Sequence, residues 1–293
     1  MSKGERRPPL TRREWLGRSA ALAAGAAVLG AKGGTAVAQP PGQRAQPRIK
    51  QSFTWGTYAR GLTPEQLIRE AAATGYKSIE MGPQEHWQAI KDAGMTVAIF
   101  VAGGGFADPE NHDRVEQQLN GAMDTAVQYG IKTILCLSGN RKGRADQELF
   151  ENSVNLFKRV MAKAEDKGVV LAPELLNSKV NHPDYWLDHT ALGVELCKRV
   201  GSPNIKLVYD IYHMQIMEGD LIRTIRDNIG YIAHFHCAGN PGRRDMDDQQ
   251  EIYYPAVMRA IADAGYQGFV GHELGPKGDA LEAMRANFKV LDV

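Results

Sequence analysis

The second half of the chain repeats one pattern: a short apolar run, a charged or imidazole group at its end, then a stretch with helical spacing. After the turn signal Pro203-Asn204, Ile205-Lys206-Leu207-Val208-Tyr209 ends on Asp210, with His213 three residues on. Val169-Val170-Leu171-Ala172-Pro173 ends on Glu174, Tyr231-Ile232-Ala233-His234-Phe235 on His236, and Gly268-Phe269-Val270-Gly271-His272 on Glu273. The ends recur at spacings of about 26 to 37 residues, the length of one strand-plus-helix unit. In the first half, apolar runs predict strands at 49–54, 78–81, 95–101 and 133–137, each followed by a helical pattern. Thr63-Pro64-Glu65-Gln66 carries an N-cap, a proline for the first turn and a capping-box partner, and Gly75 closes that helix. Further helices are expected at 87–93, 108–129, 146–167, 188–200, 220–228, 255–264 and 279–291. Gly103-Gly104-Gly105 reads as a flexible loop after the third strand.

Eight alternations predict one parallel (β/α)8 barrel. An open doubly wound sheet is the competing architecture, but it would not place four polar groups at one mouth. The barrel takes residues 49–293, about 245 of the 293. Residues 1–38 read as an export signal. Thr11-Arg12-Arg13-Glu14-Trp15-Leu16 resembles the twin-arginine pattern, a weakly apolar Ala/Gly-rich run follows, and Ala36-Val37-Ala38 fits a cleavage site. The expectation is therefore a periplasmic protein. Residues 39–48 are a Pro/Gln/Arg linker. The net charge of +1 supplies no strong field for nucleic acid or a membrane surface. Cys136, Cys197 and Cys237 are odd in number and lack paired spacing, so no disulfide framework is expected.

Groups at the carboxyl ends of parallel barrel strands converge. Glu174, Asp210, His236 and Glu273 would then form a set of three carboxylates and one imidazole. Hard oxygen ligands with one nitrogen suit one Mn²⁺, Mg²⁺ or Co²⁺, with Zn²⁺ also possible. Glu174 and Glu273 would face each other across the mouth, where one could remove a proton and the other return it, through an enediolate. The bland alternative is that Asp210 caps a loop and His236 is a core histidine.

The run Tyr209-Asp210-Ile211-Tyr212-His213-Met214-Gln215-Ile216-Met217-Glu218-Gly219-Asp220, the Asn240-Pro241-Gly242-Arg243 loop, Glu251-Ile252-Tyr253-Tyr254-Pro255 and Gly271-His272-Glu273 carry a resemblance. They resemble the hydroxypyruvate isomerase branch of the xylose-isomerase-like barrels, over about residues 160–290. The resemblance implies metal binding at the same four positions, with the two glutamates as the acid–base pair. Two features depart from it. His236 stands where that branch often has glutamine, and the segment after Glu174 lacks the extra glutamate of ketose 3-epimerases.

Four more residues are candidates for contacts to substrate. His213 could reach a substrate oxygen or bond a neighbouring loop. Arg243 could anchor a carboxylate or pair with Arg244 as a surface group. His182 could line the pocket or pack in its loop, and Glu80 could meet the site or orient a ligand. Met214, Met217 and Trp186 read as packing. The expected function is isomerisation or epimerisation of a small keto-acid or sugar. The alternatives are a lyase or dehydratase using the same chemistry, an apurinic endonuclease, and a non-catalytic carbohydrate-binding barrel.

Overall fold

The apolar runs become eight parallel strands. In the computed structural model, which describes residues 48–293, these are β1 (Lys50–Thr54), β2 (Ser78–Glu80), β3 (Ile99–Gly104), β4 (Thr133–Leu137), β5 (Val170–Leu175), β6 (Leu207–Asp210), β7 (Ile232–Cys237) and β8 (Phe269–His272). The expected export signal lies outside the described residues. Strands pair in the order β2-β1-β8-β7-β6-β5-β4-β3. Between β2 and β3, Ser78 bridges Thr96 and the Met81 N–H donates to the Ile99 carbonyl at 3.2 Å. The result is the expected (β/α)8 barrel.

The helices are α1 (Trp55–Tyr58), α2 (Pro64–Thr74), α3 (Trp87–Asp92), α4 (His112–Tyr129), α5 (Asp146–Lys167), α6 (Thr190–Val200), α7 (Ile211–Met217), α8 (Leu221–Asn228), α9 (Tyr254–Asp263) and α10 (Ala280–Leu291). Their ends follow local chemistry. Thr63 and Gln66 form the capping box of α2, and Gly75, at φ 115°, closes it. No helix among the described residues is long and apolar enough to cross a membrane. Trp186, Met214 and Met217 are buried, as read from the sequence.

Several boundaries differ from expectation. β3 starts at Ile99 because Thr96 is already engaged with Ser78, and the Ala98 N–H donates to Ser78 Oγ at 2.8 Å. Gly103 and Gly104 belong to this strand, and the triple glycine is not the loose loop it suggested. Gly104 pairs with Leu137 across a register shift, and a Cβ there would stand 3.1 Å from the Leu137 Cβ. At residue 109 the chain opens with a 3-10 turn, Pro109–Asn111, before α4 begins at His112. β6 does not run into a loop. It passes directly into α7, so His213 sits in a first helical turn.

The apolar core lies mainly between the strands and the surrounding helices. The lumen is divided. Ile99, Leu135, Ala172 and Val208, from β3 to β6, form a small separate apolar cluster. The β1, β2 and β7 side carries Ser52, Glu80, His234 and His236, all buried. The polar half of the lumen leads up to the mouth.

Candidate metal and acid–base centre

Strand ends set the positions of the four expected ligands. Glu174 lies near the end of β5, Asp210 ends β6, His236 is the penultimate residue of β7, and Glu273 follows β8. Asp210 pairs in register with His236, and His236 with Gly271. One ligand atom from each of the four residues lies within 4.8 Å of the others. His236 Nδ1 stands 2.8 Å from Glu174 Oε1 and 3.1 Å from Glu273 Oε2. The sequence reading brought these four together, and the fold does so as well.

Asp210 serves two purposes at once. Its Oδ1 caps α7 by accepting the His213 N–H at 3.1 Å, while Oδ2 faces His213 and Arg243 at 3.6 and 3.7 Å. Capping and ligation therefore do not compete, because a carboxylate has two oxygens.

The site is dense in negative charge. Burial pushes the Glu174 and Asp210 carboxyls above their ordinary values; for Glu174 the His236 contact only partly offsets this, and Arg243 does the same for Asp210. Burial also opposes ionisation of Glu273, but His236 and Arg243 outweigh it and hold that carboxyl at about 2. Burial works against the charged His236 ring, yet Glu273 and Glu174 raise it well above the usual imidazole range. Three carboxylates and a nitrogen, gathered so closely, could hold a divalent metal ion and would be relieved by its charge.

Arg243 belongs to the mouth and not to a surface pair. Its Nη2 lies 2.8 Å from Glu273 Oε2, and its guanidinium carbon stands 5.9 Å from the Tyr212 ring centroid. Arg244 turns away to the Pro276 carbonyl. Glu273 and Arg243 keep 23% and 27% of their side chains exposed, so the centre opens to solvent on their side. His182 stands at the rim, its ring 5.2 Å from that of His213.

Glu80 lies against His236, one of the four expected ligands. It is fully buried, on the inner side of the His236 ring. Its Oε1 accepts the Ser52 hydroxyl at 2.7 Å, and its Oε2 lies 2.8 Å from His234 Nε2 and 3.9 Å from His236 Nε2. Burial opposes its charge, but the two imidazoles outweigh that and keep it well below the usual carboxylate range. Gly271 makes room for this arrangement: a Cβ there would fall 2.1 Å from Glu80 Oε1.

Residues beyond the sequence reading hold the centre in place. Tyr185, buried, accepts the Ser138 N–H at 3.0 Å and donates to the Glu174 carbonyl at 3.1 Å. His272 Nδ1 accepts the Tyr58 hydroxyl at 3.0 Å and lies 3.1 Å from the Tyr76 oxygen, whose proton goes to the Met284 carbonyl at 3.0 Å, while Nε2 donates to Gln51 Oε1 at 3.1 Å, which anchors the residue before Glu273. Burial pushes the His272 ring down to about 3, consistent with the neutral form these bonds require. No local motif marked these contacts, because each partner is far away in the chain.

The chain is similar to known proteins over most of its length. Residues 68–292 match the family model described as "Xylose isomerase-like TIM barrel". A putative hydroxypyruvate isomerase of Homo sapiens is 26% identical over 240 residues, covering 74% of this chain and 86% of that protein. A 2-oxo-tetronate isomerase of Cupriavidus necator is 32% identical over 224 residues, covering 71% and 85%. The crystal structure of an AP endonuclease, family 2, from Brucella melitensis superposes with a TM-score of 0.74 at 27% identity, covering 82% of this chain and 97% of that one. With this match and a mouth of three carboxylates around one imidazole, the chain belongs to the xylose isomerase-like TIM-barrel family.

Proposed function

We propose that this protein is a metal-dependent isomerase or epimerase of a small keto-acid or sugar, working by proton transfer through an enediolate between Glu174 and Glu273. The observation that carries this reading is the convergence of both carboxylates on one imidazole nitrogen, at 2.8 and 3.1 Å, from β5 and from beyond β8. The isomerase names of the human and Cupriavidus relatives support it.

Glu174, Asp210, His236 and Glu273 would hold the ion. A divalent ion bound there supplies electrostatic stabilisation for negative charge on substrate oxygens. The remaining steps belong to the side chains. Substrate enters from the side of Arg243, whose guanidinium meets a carboxylate or hydroxyl and also orients Glu273. One glutamate takes the proton from the carbon beside the carbonyl; the other returns one to the former carbonyl carbon in an isomerase, the hydroxyl proton passing to the former carbonyl oxygen, or to the opposite face of the same carbon in an epimerase. A lyase would share the first of these steps and not the second. Apurinic endonuclease action, the activity for which the Brucella protein is named, calls for a basic surface tracking phosphates, and a net charge of +1 supplies none overall.

The test is deuterium incorporation from D₂O, read by NMR, with metal-loaded protein and hydroxypyruvate, other small keto-acids and ketoses in turn. Exchange at carbon with isomer formation supports the proposal. Elimination products point to the lyase, and binding without exchange to a carbohydrate-binding barrel.

We also propose that residues 1–38 direct export to the periplasm by the twin-arginine route. Arg12→Lys with Arg13→Lys should leave the precursor in the cytoplasm; normal export of that double variant, followed by cell fractionation, refutes it.

A further inference from the structure

A fully buried asparagine, Asn177, follows β5 and touches the centre through His213. Its Oδ1 accepts the backbone N–H groups of Val180 and Asn181, at 3.0 and 2.8 Å. Only the carbonyl oxygen of an amide can do this, so the orientation of the side chain is fixed. Nδ2 therefore faces the other way, 2.5 Å from His213 Nδ1 and 2.7 Å from Asn181 Oδ1. The Asn177 backbone N–H points at the same ring nitrogen, at 3.2 Å.

A nitrogen facing two N–H donors must itself accept, so the proton of the neutral ring sits on Nε2. His213 is fully buried, and its Nε2 has no hydrogen-bond partner within the chain. Asp210 Oδ2, at 3.6 Å, is beyond hydrogen-bond reach. A buried N–H left unpaired at the edge of a charged mouth calls for a group that arrives from outside.

We propose that Asn177 is a positioning residue that locks His213 as an Nε2–H donor, aimed at an accepting oxygen of the substrate. Beside the Asp210 and Glu273 carboxylates, the mouth then presents two donors on this side, His213 Nε2–H and the Arg243 guanidinium. An oxygen that only accepts, the carbonyl or carboxylate of a keto-acid, satisfies both. The lock stands on geometry alone, and its catalytic meaning rests on the isomerase reading above.

The test is NMR of the full chain labelled with ¹⁵N-histidine, the His213 signals being identified by their loss in His213→Gln. The expected result at neutral pH is one tautomer, protonated at Nε2. A ring protonated at Nδ1, or exchanging between two forms, overturns the lock. Asn177→Asp puts an acceptor where the side-chain donor was, so the proton should move toward Nδ1 in that variant. Turnover should fall about tenfold in kcat/KM, the worth of one hydrogen bond to a charged group. In the His213→Gln background the same change should cost little more. A folded Asn177→Asp protein with the wild-type tautomer, or fully additive losses, refutes the role of the side chain. If no keto-acid or sugar turns over, the isomerase reading falls while the tautomer still decides the lock.

Discussion

On its mouth side His236 meets three carboxylates, Glu174, Asp210 and Glu273; on its inner side it meets Glu80. Both surroundings are acidic and buried, and either could be mistaken for a metal site on composition. They differ in balance. Inside, the single carboxylate of Glu80 faces two imidazoles and accepts the Ser52 hydroxyl. At the mouth, one imidazole and one guanidinium face three carboxylates, and two of those carboxyls are pushed above their ordinary values. The contrast separates two groups that could each hold an ion: only at the mouth does carboxylate charge exceed the local counter-charge, an imbalance that a divalent ion would relieve. Under the proposed function the inner group would act as a support, setting the ring that the outer group uses.

The largest effect expected from this contrast lies in the outer pair. Glu174→Gln and Glu273→Gln, each measured with metal saturating, should lower carbon-bound hydrogen exchange by about 10² to 10⁴, the usual contribution of a general acid or base. Wild-type exchange in either variant removes the two-glutamate mechanism. Next comes the inner group. Glu80→Gln leaves both glutamates of the mouth in place but loosens the support of His236, so Mn²⁺ affinity should fall roughly 10- to 100-fold, read by calorimetric titration. Affinity equal to wild type would mean that Glu80 only fills the lumen. The smallest effect is expected at Gly271, where an added methyl overpacks against Glu80 Oε1 and His236. Gly271→Ala should cost about 1–3 kcal/mol in urea unfolding, and an unchanged midpoint would show that the lumen gives way more easily than the geometry implies.

The two sides of His236 also differ in how far they could be read in advance. The mouth was legible because each ligand terminates an apolar run, and parallel strands of similar length bring their ends to one rim. The inner group was legible only in part. Glu80 was read as able to meet the site or orient a ligand, but His234, two residues before His236, gives no signal beyond strand alternation. Their meeting depends on β2 and β7 facing each other across the lumen, with Gly271 leaving space. Strand positions came through well wherever β-branched runs were bounded by turn residues. The start of β3 shifted because the pairing of Thr96 with Ser78 claimed the preceding residues. α7 was missed because its cap, Asp210, looked like the end of a strand. A residue that ends one element and starts the next carries both signals, and tertiary pairing decides between them.

The most direct test of the central claim is a titration of the metal-free protein with Mn²⁺, in wild type and in Asp210→Asn, followed by calorimetry with metal analysis of the dialysed protein. Wild type should bind one ion per chain, and binding should be sharply lost in Asp210→Asn, whose neutral amide can still cap α7. Wild-type protein that binds no divalent ion, or an Asp210→Asn variant that binds as tightly as wild type, would contradict that claim.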